Sequence, residues 1–199
     1  MLIDFEYIHY KYELNIKGLI HIGSFVGEEY PTYIKFGINN LIFFEPQPNI
    51  FKILRERVGL SEFNVSHTPG GIDNGSGASS SILKPKVHLN QYPHITFNET
   101  IEVDMVKLDD YWKDSHLPHN GFNFLNIDVQ GFELEVLKGA SNTLNHVDYI
   151  LTEVNRDELY EGCVLVEELD GFLDEYGFVR EETSWGGETW GDAFYVKHA

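Results

Sequence analysis

A chain of 199 residues has room for one domain with a sizeable core and little room for two. Hydrophobic residues at 42% and aromatics at 14% exclude a disordered polymer, and no apolar run approaches the ~20 residues that span a bilayer. With 32 acidic residues against 14 basic ones the formal charge is −18, a field that repels nucleic acid and anionic membrane alike. The opening segment scatters Asp4, Glu6, Lys11 and Glu13 among apolar residues and lacks a basic start followed by an apolar block. A cytoplasmic protein is therefore expected. Cys163, the single cysteine, excludes an intrachain disulfide and a multi-cysteine zinc site.

A helical extension over residues 1–17 is expected first, then a strand from Leu19 to Ile22, a helix from Glu28 to Phe36 and a second strand from Leu41 to Phe44. Ile50, Phe51, Leu54 and Val58 form one face of the next helix, which stops at Gly59 ahead of a third short strand around Phe63 to Val65. This β-α-β-α-β alternation predicts an α/β fold with a mostly parallel sheet and helices on both faces.

From Thr68 to Ser81 the composition turns to glycine and serine without periodicity, which reads as a long loop, either a binding element or a linker. Ile95 to Val103 supplies an extra strand or hairpin, and Leu108 to Trp112 a short helix. Phe122, Phe124, Leu125 and Ile127 read as a strand covered on both faces, followed by Leu134, Leu137, Ala140 and Leu144 at helical spacing. Val147 to Thr152 is the next strand, with Glu153 at its carboxyl end. Leu165, Leu169, Phe172 and Tyr176 mark a last helix, and Phe178 to Glu182 with Ala193 to Val196 an antiparallel closing pair.

Ligands of open α/β sheets bind at the carboxyl ends of the strands, so Asp128 and Glu153 are candidate catalytic acids, against the plainer reading that Asp128 only caps the following helix. Gly23 and Gly27 fall in the first strand-to-helix turn, where a ligand can approach the backbone. Glu45 follows the second strand, at about the 20-residue distance at which an acid receives a ribose diol. Glu28 and Glu29 in the first helical turn oppose a pyrophosphate and suit a cationic sulfonium cofactor, unless both face solvent. Two functions remain open on these grounds: a methyltransferase or a nicotinamide-dependent sugar oxidoreductase. A cofactor-binding protein without turnover is a third. Tyr7 and Lys11 repeat a dehydrogenase spacing by chance. His116 and His119 lack a third ligand, so no metal site is predicted, although a divalent ion would also serve to activate a hydroxyl.

The segment IDVQGFELEVLKGA at 127–140, with HIGSFVGEE at 21–29, FFEPQPNIF at 43–51, LDDYW at 108–112, TEVN at 152–155 and WGDAFYV at 190–196, resembles the FkbM-type methyltransferases. The resemblance implies a class I, Rossmann-like sheet of seven strands whose last strand is antiparallel, and an S-adenosylmethionine-dependent enzyme that methylates hydroxyls of sugars or small natural products. It also implies that Gly23, Ser24, Phe25 and Gly27 form the methionine-side turn with Glu28, that Glu45 and Pro46 meet the ribose, that Ser79, Ser80 and Ser81 stand near adenine or acceptor, and that Asp128 walls the donor and acceptor pocket. His21 departs from the family pattern, which has an acid before the glycines, and reads as a satisfied core histidine. Trp185, Trp190 and Tyr195 are either packing residues or the lining of a sugar site. The oligomeric state and the acceptor are not encoded in any local motif.

Overall fold

A computed structural model describes residues 1–59, 70–73, 78–103, 105–115 and 117–198, with the side chains of 70–73 and Asn98 outside that description. In chain order the elements are α1 (Phe5–Lys11), β1 (Leu19–Ile22), α2 (Tyr30–Lys35), β2 (Leu41–Phe44), α3 (Pro48–Val58), β3 (Gly70–Asp73), α4 (His88–Gln91), β4 (Phe97–Ile101), α5 (Leu108–Ser115), β5 (Phe124–Ile127), α6 (Glu133–Lys138), β6 (Tyr149–Asn155), α7 (Val166–Asp174), β7 (Phe178–Trp185) and β8 (Trp190–Lys197). The main sheet has the order β2-β1-β5-β6-β8-β7; β8 runs antiparallel to both neighbours, and the other described pairings are parallel. Six strands of this sheet lie among the described residues, and the strand expected at Phe63 to Val65 lies outside them.

Side chains alternate across each strand, so neighbours in sequence feed opposite faces. Ile20, Ile42, Leu125, Ile127, Ile150, Val154 and Tyr195 pack against α5, α6 and α7 through Trp112, Leu137 and Leu169. Leu19, Phe43, Phe124, Leu151 and Phe194 pack against α1, α2 and α3 through Ile8, Tyr33 and Leu54. Each such buried side chain contributes about 1.5–3 kcal/mol. The second face is not apolar throughout. Toward the edge where the parallel strands end and antiparallel β8 begins, it changes to a buried polar tier of His21, Asn126, Glu153 and Asp192, and this tier forms the base of the site.

Four sequence expectations are corrected. The stretch read as one loop, Thr68 to Ser81, contains β3, which pairs antiparallel with β4 in a separate two-stranded sheet. Glu28 and Glu29 do not stand in a helical turn: Gly27, at φ 71, turns the chain, and α2 starts at Tyr30 with Pro31 in its first turn. The helix expected to reach Leu144 ends at Lys138, because the Gly139 carbonyl leaves the helical ladder to accept the Asp109 N–H at 3.1 Å; a 3-10 turn at Thr143–His146 carries on. Glu153 is not at a strand end, since β8 pairs with β6 all the way to Asn155 opposite Trp190.

Candidate cofactor and acceptor pocket

Two adjoining cavities open where β1, β2 and β5 end. One, of about 260 Å³, is lined by Gly23, Phe25, Glu28, Glu29, Glu45, Pro46, Gln47, Ser80, Ser81, Asp128 and Gln130, with His21 at its base. The other, of about 440 Å³, is more apolar and is walled by Ile22, Phe44, Ile82, Met105, Leu108, Val129, Phe132 and Val136. Gly23, Glu45, Pro46, Ile82 and Val129 border both, so the pair forms one elongated cleft.

The turn after β1 is held by its neighbours. Gly23 has φ 80, and a Cβ there would stand 1.8 Å from the Asp128 carbonyl oxygen, so only glycine lets the ends of β1 and β5 meet. The N–H groups of Gly23 and Ser24 donate to the Phe44 carbonyl at 2.9 and 3.0 Å, and the Ser24 hydroxyl donates to it at 3.1 Å. Phe25, left-handed at φ 47, donates its N–H to Glu45 Oε2 at 2.9 Å, and Gln47 donates its N–H to Glu45 Oε1 at 2.8 Å. Each Glu45 oxygen thus takes one backbone donor, and the Gln47 side chain also hydrogen-bonds the carboxylate. Burial pushes its carboxyl up to about 7, the Gln47 and Phe25 N–H groups pulling the other way.

Beside Glu45 lies a group of acids. Asp128, partly open to the cavity, and Glu153, buried behind it, are bridged by the Gln130 amide, which donates to Asp128 Oδ1 at 2.7 Å and Glu153 Oε2 at 2.9 Å. Burial raises the Asp128 carboxyl and raises Glu153 well above the ordinary glutamate range, Asp128 adding to the second shift by like charge. Glu133, buried at the start of α6, accepts from the Val129 and Gly131 N–H groups through Oε1 and is pushed up to about 7, chiefly by burial. Asp192 on β8 accepts from the N–H groups of Leu2 and Ile3, which carries the N-terminal segment across this face. His21 is the buried residue its position in β1 predicts: its Nδ1 lies 3.3 Å from the Tyr33 hydroxyl, and burial lowers it to about 4, which keeps it neutral.

Of the residues expected at the site, Gly23, Phe25, Glu28, Glu45, Pro46, Ser80 and Asp128 line the first cavity. Glu28 is exposed and Glu29 less so; both face it. Ser24 and Gly27 shape the turn without lining the space; a Cβ on Gly27 would meet Leu54 Cδ1 at 2.7 Å. The Ser79 carbonyl accepts the Tyr160 hydroxyl at 3.0 Å, and Glu153 reaches the site only through Gln130. Trp185, Trp190 and Tyr195 line neither cavity. Trp185 carries the Arg156 guanidinium at 3.6 Å, Trp190 donates to the Tyr92 hydroxyl, and Tyr195 donates to Asp170. Tyr7 and Lys11 join Glu182 on the exterior. Cys163 is buried, and burial raises its thiol. Sequence reasoning passed over Gln130, whose signal was an amide set between an acid and a glycine at a strand end. It also passed over the apolar cavity, whose walls come from five separate stretches of chain. Among the described residues no three His, Cys, Asp or Glu side chains converge to hold a metal ion.

Among the described residues the first chamber is lined by four acids, no lysine or arginine, and one cation, the Met1 α-amino group, a balance that favours a cationic ligand over a pyrophosphate. Residues 21–180 match the methyltransferase FkbM domain, and the chain belongs to that family. It is 30% identical over 180 residues to the 2-O-methyltransferase NoeI of Sinorhizobium fredii, covering 82% of this chain and 73% of that protein. It is 28% identical over 116 residues to the hexuronic acid methyltransferase AglP of Haloferax volcanii, covering 58% of this chain and 47% of that protein. The fold is shared with a SAM-dependent methyltransferase from Aquifex aeolicus (TM-score 0.53, 13% identity, 98% of this chain and 90% of that one). It is shared as well with magnesium protoporphyrin IX methyltransferase from Synechocystis (TM-score 0.55, 9% identity, 97% and 76%). The protein is a methyltransferase with a Rossmann-like sheet, and the oxidoreductase reading is set aside. No helix among the described residues is long and apolar enough to cross a membrane.

Proposed function

We propose that this protein uses S-adenosylmethionine to methylate a hydroxyl of a sugar, glycan or small hydroxylated molecule in the cytoplasm. The observation that carries the reading is the first chamber, where Glu28, Glu29, Glu45 and Asp128 face a common space whose described lining holds no lysine or arginine, with neutral His21 and the Met1 α-amino group as its nitrogen bases. That donor set fits the cofactor. The Glu45 carboxylate lines the chamber as an acceptor for a ribose diol, the acids attract the sulfonium and ammonium, and the apolar second chamber suits a flat base. The 2-O-methyltransferase and hexuronic acid methyltransferase relatives support a sugar hydroxyl as the acceptor.

When bound, the cofactor supplies an electrophilic methyl group: the carbon–sulfur bond breaks, an oxygen–carbon bond forms and the sulfur leaves as a thioether. The chain's own residues do the rest. The turn at Gly23 to Gly27 and the Glu45 carboxylate orient the donor, so that in-line geometry replaces a chance encounter. Asp128 takes the proton of the acceptor hydroxyl, and its raised pKa matches it to that task better than an ordinary aspartate. Glu153 supports it from behind. Calorimetry with S-adenosylhomocysteine and with NAD, joined to mass spectrometry of glycans incubated with the labelled donor, tests the reading. Binding of the thioether alone and a mass gain of about 14 Da, roughly one methylene, are expected. Binding of NAD alone overturns it.

A further inference from the structure

The register that pairs Ile127 with Thr152 brings Asp128 next to Glu153 on adjacent parallel strands, two acids that burial and mutual repulsion would drive apart. One side chain lies between them. Gln130 gives its two amide hydrogens to the two acids, at 2.7 and 2.9 Å, and its own Oε1, 3.0 Å from the Tyr160 hydroxyl, shares that one hydrogen with the Ser79 carbonyl. Its backbone stands at φ 55, the left-handed region that disfavours any residue with a Cβ, and the Ser81 hydroxyl donates to its carbonyl at 2.6 Å to hold it there. Glycine would fit this backbone with less strain. A glutamine stands here at a local backbone cost, and among the described residues its side-chain hydrogen bonds run to the two acids and to Tyr160.

We propose that Gln130 is a positioning residue for methyl transfer: its carboxamide, anchored by Tyr160 and bridged to Glu153, fixes the Asp128 carboxylate in the orientation that receives the acceptor hydroxyl. This rests on Asp128 as the proton acceptor. An amide N–H stabilises the ionised carboxylate, and around Asp128 the other titratable groups are His21 of β1, Glu29 before α2, Glu45 of β2, Glu133 of α6, Glu153 of β6, Asp192 of β8 and the Met1 α-amino group. Most are acids, so removing the amide raises the pH at which Asp128 ionises.

Two variants, Gln130→Gly, which suits the left-handed backbone, and Gln130→Leu, which keeps the bulk, separate the clamp from the fold. Carbon-13 carboxyl NMR follows the Asp128 titration, and calorimetry follows S-adenosylhomocysteine binding; neither needs the acceptor. The Asp128 midpoint is expected to rise by roughly one pH unit in both variants, and binding of S-adenosylhomocysteine is expected to persist in weakened form, because Gln130 lines the first chamber while the Glu45 carboxylate is kept. In a methylation assay the acid limb of the pH–kcat profile moves the same way. An unchanged midpoint in both variants overturns the clamp. Wild-type protein that fails to bind S-adenosylhomocysteine overturns the functional reading instead, and leaves the titration result standing.

Discussion

The carboxylate of Glu45, at the end of β2, holds the left-handed Phe25 N–H at 2.9 Å across the turn that follows β1. One acid thereby orders the loop and lines the cavity. Glu45→Ala removes both functions. A hydrogen bond to a charged group contributes about 1.5–3 kcal/mol, so S-adenosylhomocysteine affinity is expected to fall roughly 10- to 100-fold by calorimetry. Unaltered affinity would remove Glu45 from the cofactor site.

Asp128→Asn keeps the shape of the side chain and removes its basicity. If Asp128 accepts the hydroxyl proton, kcat falls by about 10²–10⁴, a larger loss than the drop in cofactor affinity from removing one of the four chamber acids, measured by product mass spectrometry and calorimetry on the same preparation. A variant with wild-type kcat would make the residue a wall and not a base.

Gly23→Ala is expected to damage the fold itself. The new Cβ would meet the Asp128 carbonyl, and the position stands at φ 80, so denaturant titration should show a loss of about 3–5 kcal/mol. Gly37, after α2, also has positive φ, but a Cβ there would meet nothing within 4 Å. Gly37→Ala should therefore cost only the backbone strain, about 1–3 kcal/mol, in the same measurement.

Buried acids give the ligand-free protein an unusual pH dependence. Glu45 and Glu133 titrate near 7 when folded and near 4.5 when unfolded, so between those values the folded state holds the extra protons and stability falls as pH rises. His21, lowered to about 4, acts in the opposite sense and adds stability as pH rises from about 4 to 6.5. Above about 6.5 that compensation ends, while Glu153, raised further, continues to lower stability. Thermal melts are expected to show Tm falling from pH 6.5 to 8, and S-adenosylhomocysteine to reduce the fall by donating hydroxyls to ionised Glu45. A Tm that rises over this range would contradict the buried-acid account.

Much of the architecture was legible because burial on a two-faced sheet imposes its period on the residues. Leu19–Ile22, Leu41–Phe44 and the closing pair were read close to where they form. Periodicity was silent wherever a single interaction sets the outcome. Gly139 ends α6 by giving its carbonyl to Asp109, about 30 residues away along the chain. β3 forms inside a glycine-rich stretch only because β4 is there to pair with it. At the site, acids and glycines at strand ends were visible as chemistry, but which of them share a cavity was not. Ser24 turned out to brace the turn from behind, and Glu153 to lie one side chain back from the space.

Local sequence alone determined the class of fold, the family and the acidic character of the cleft, since alternation, helical spacing and the strand-end motifs act over a few residues each. Tertiary structure decided how the acids are shared out: Glu45 on the turn, Asp128 at the cavity, Glu153 behind it, and Gln130 joining the last two. That division depends on the register of β5 against β6 and on a left-handed backbone at Gln130 held by Ser81, and neither is specified until distant segments pack together.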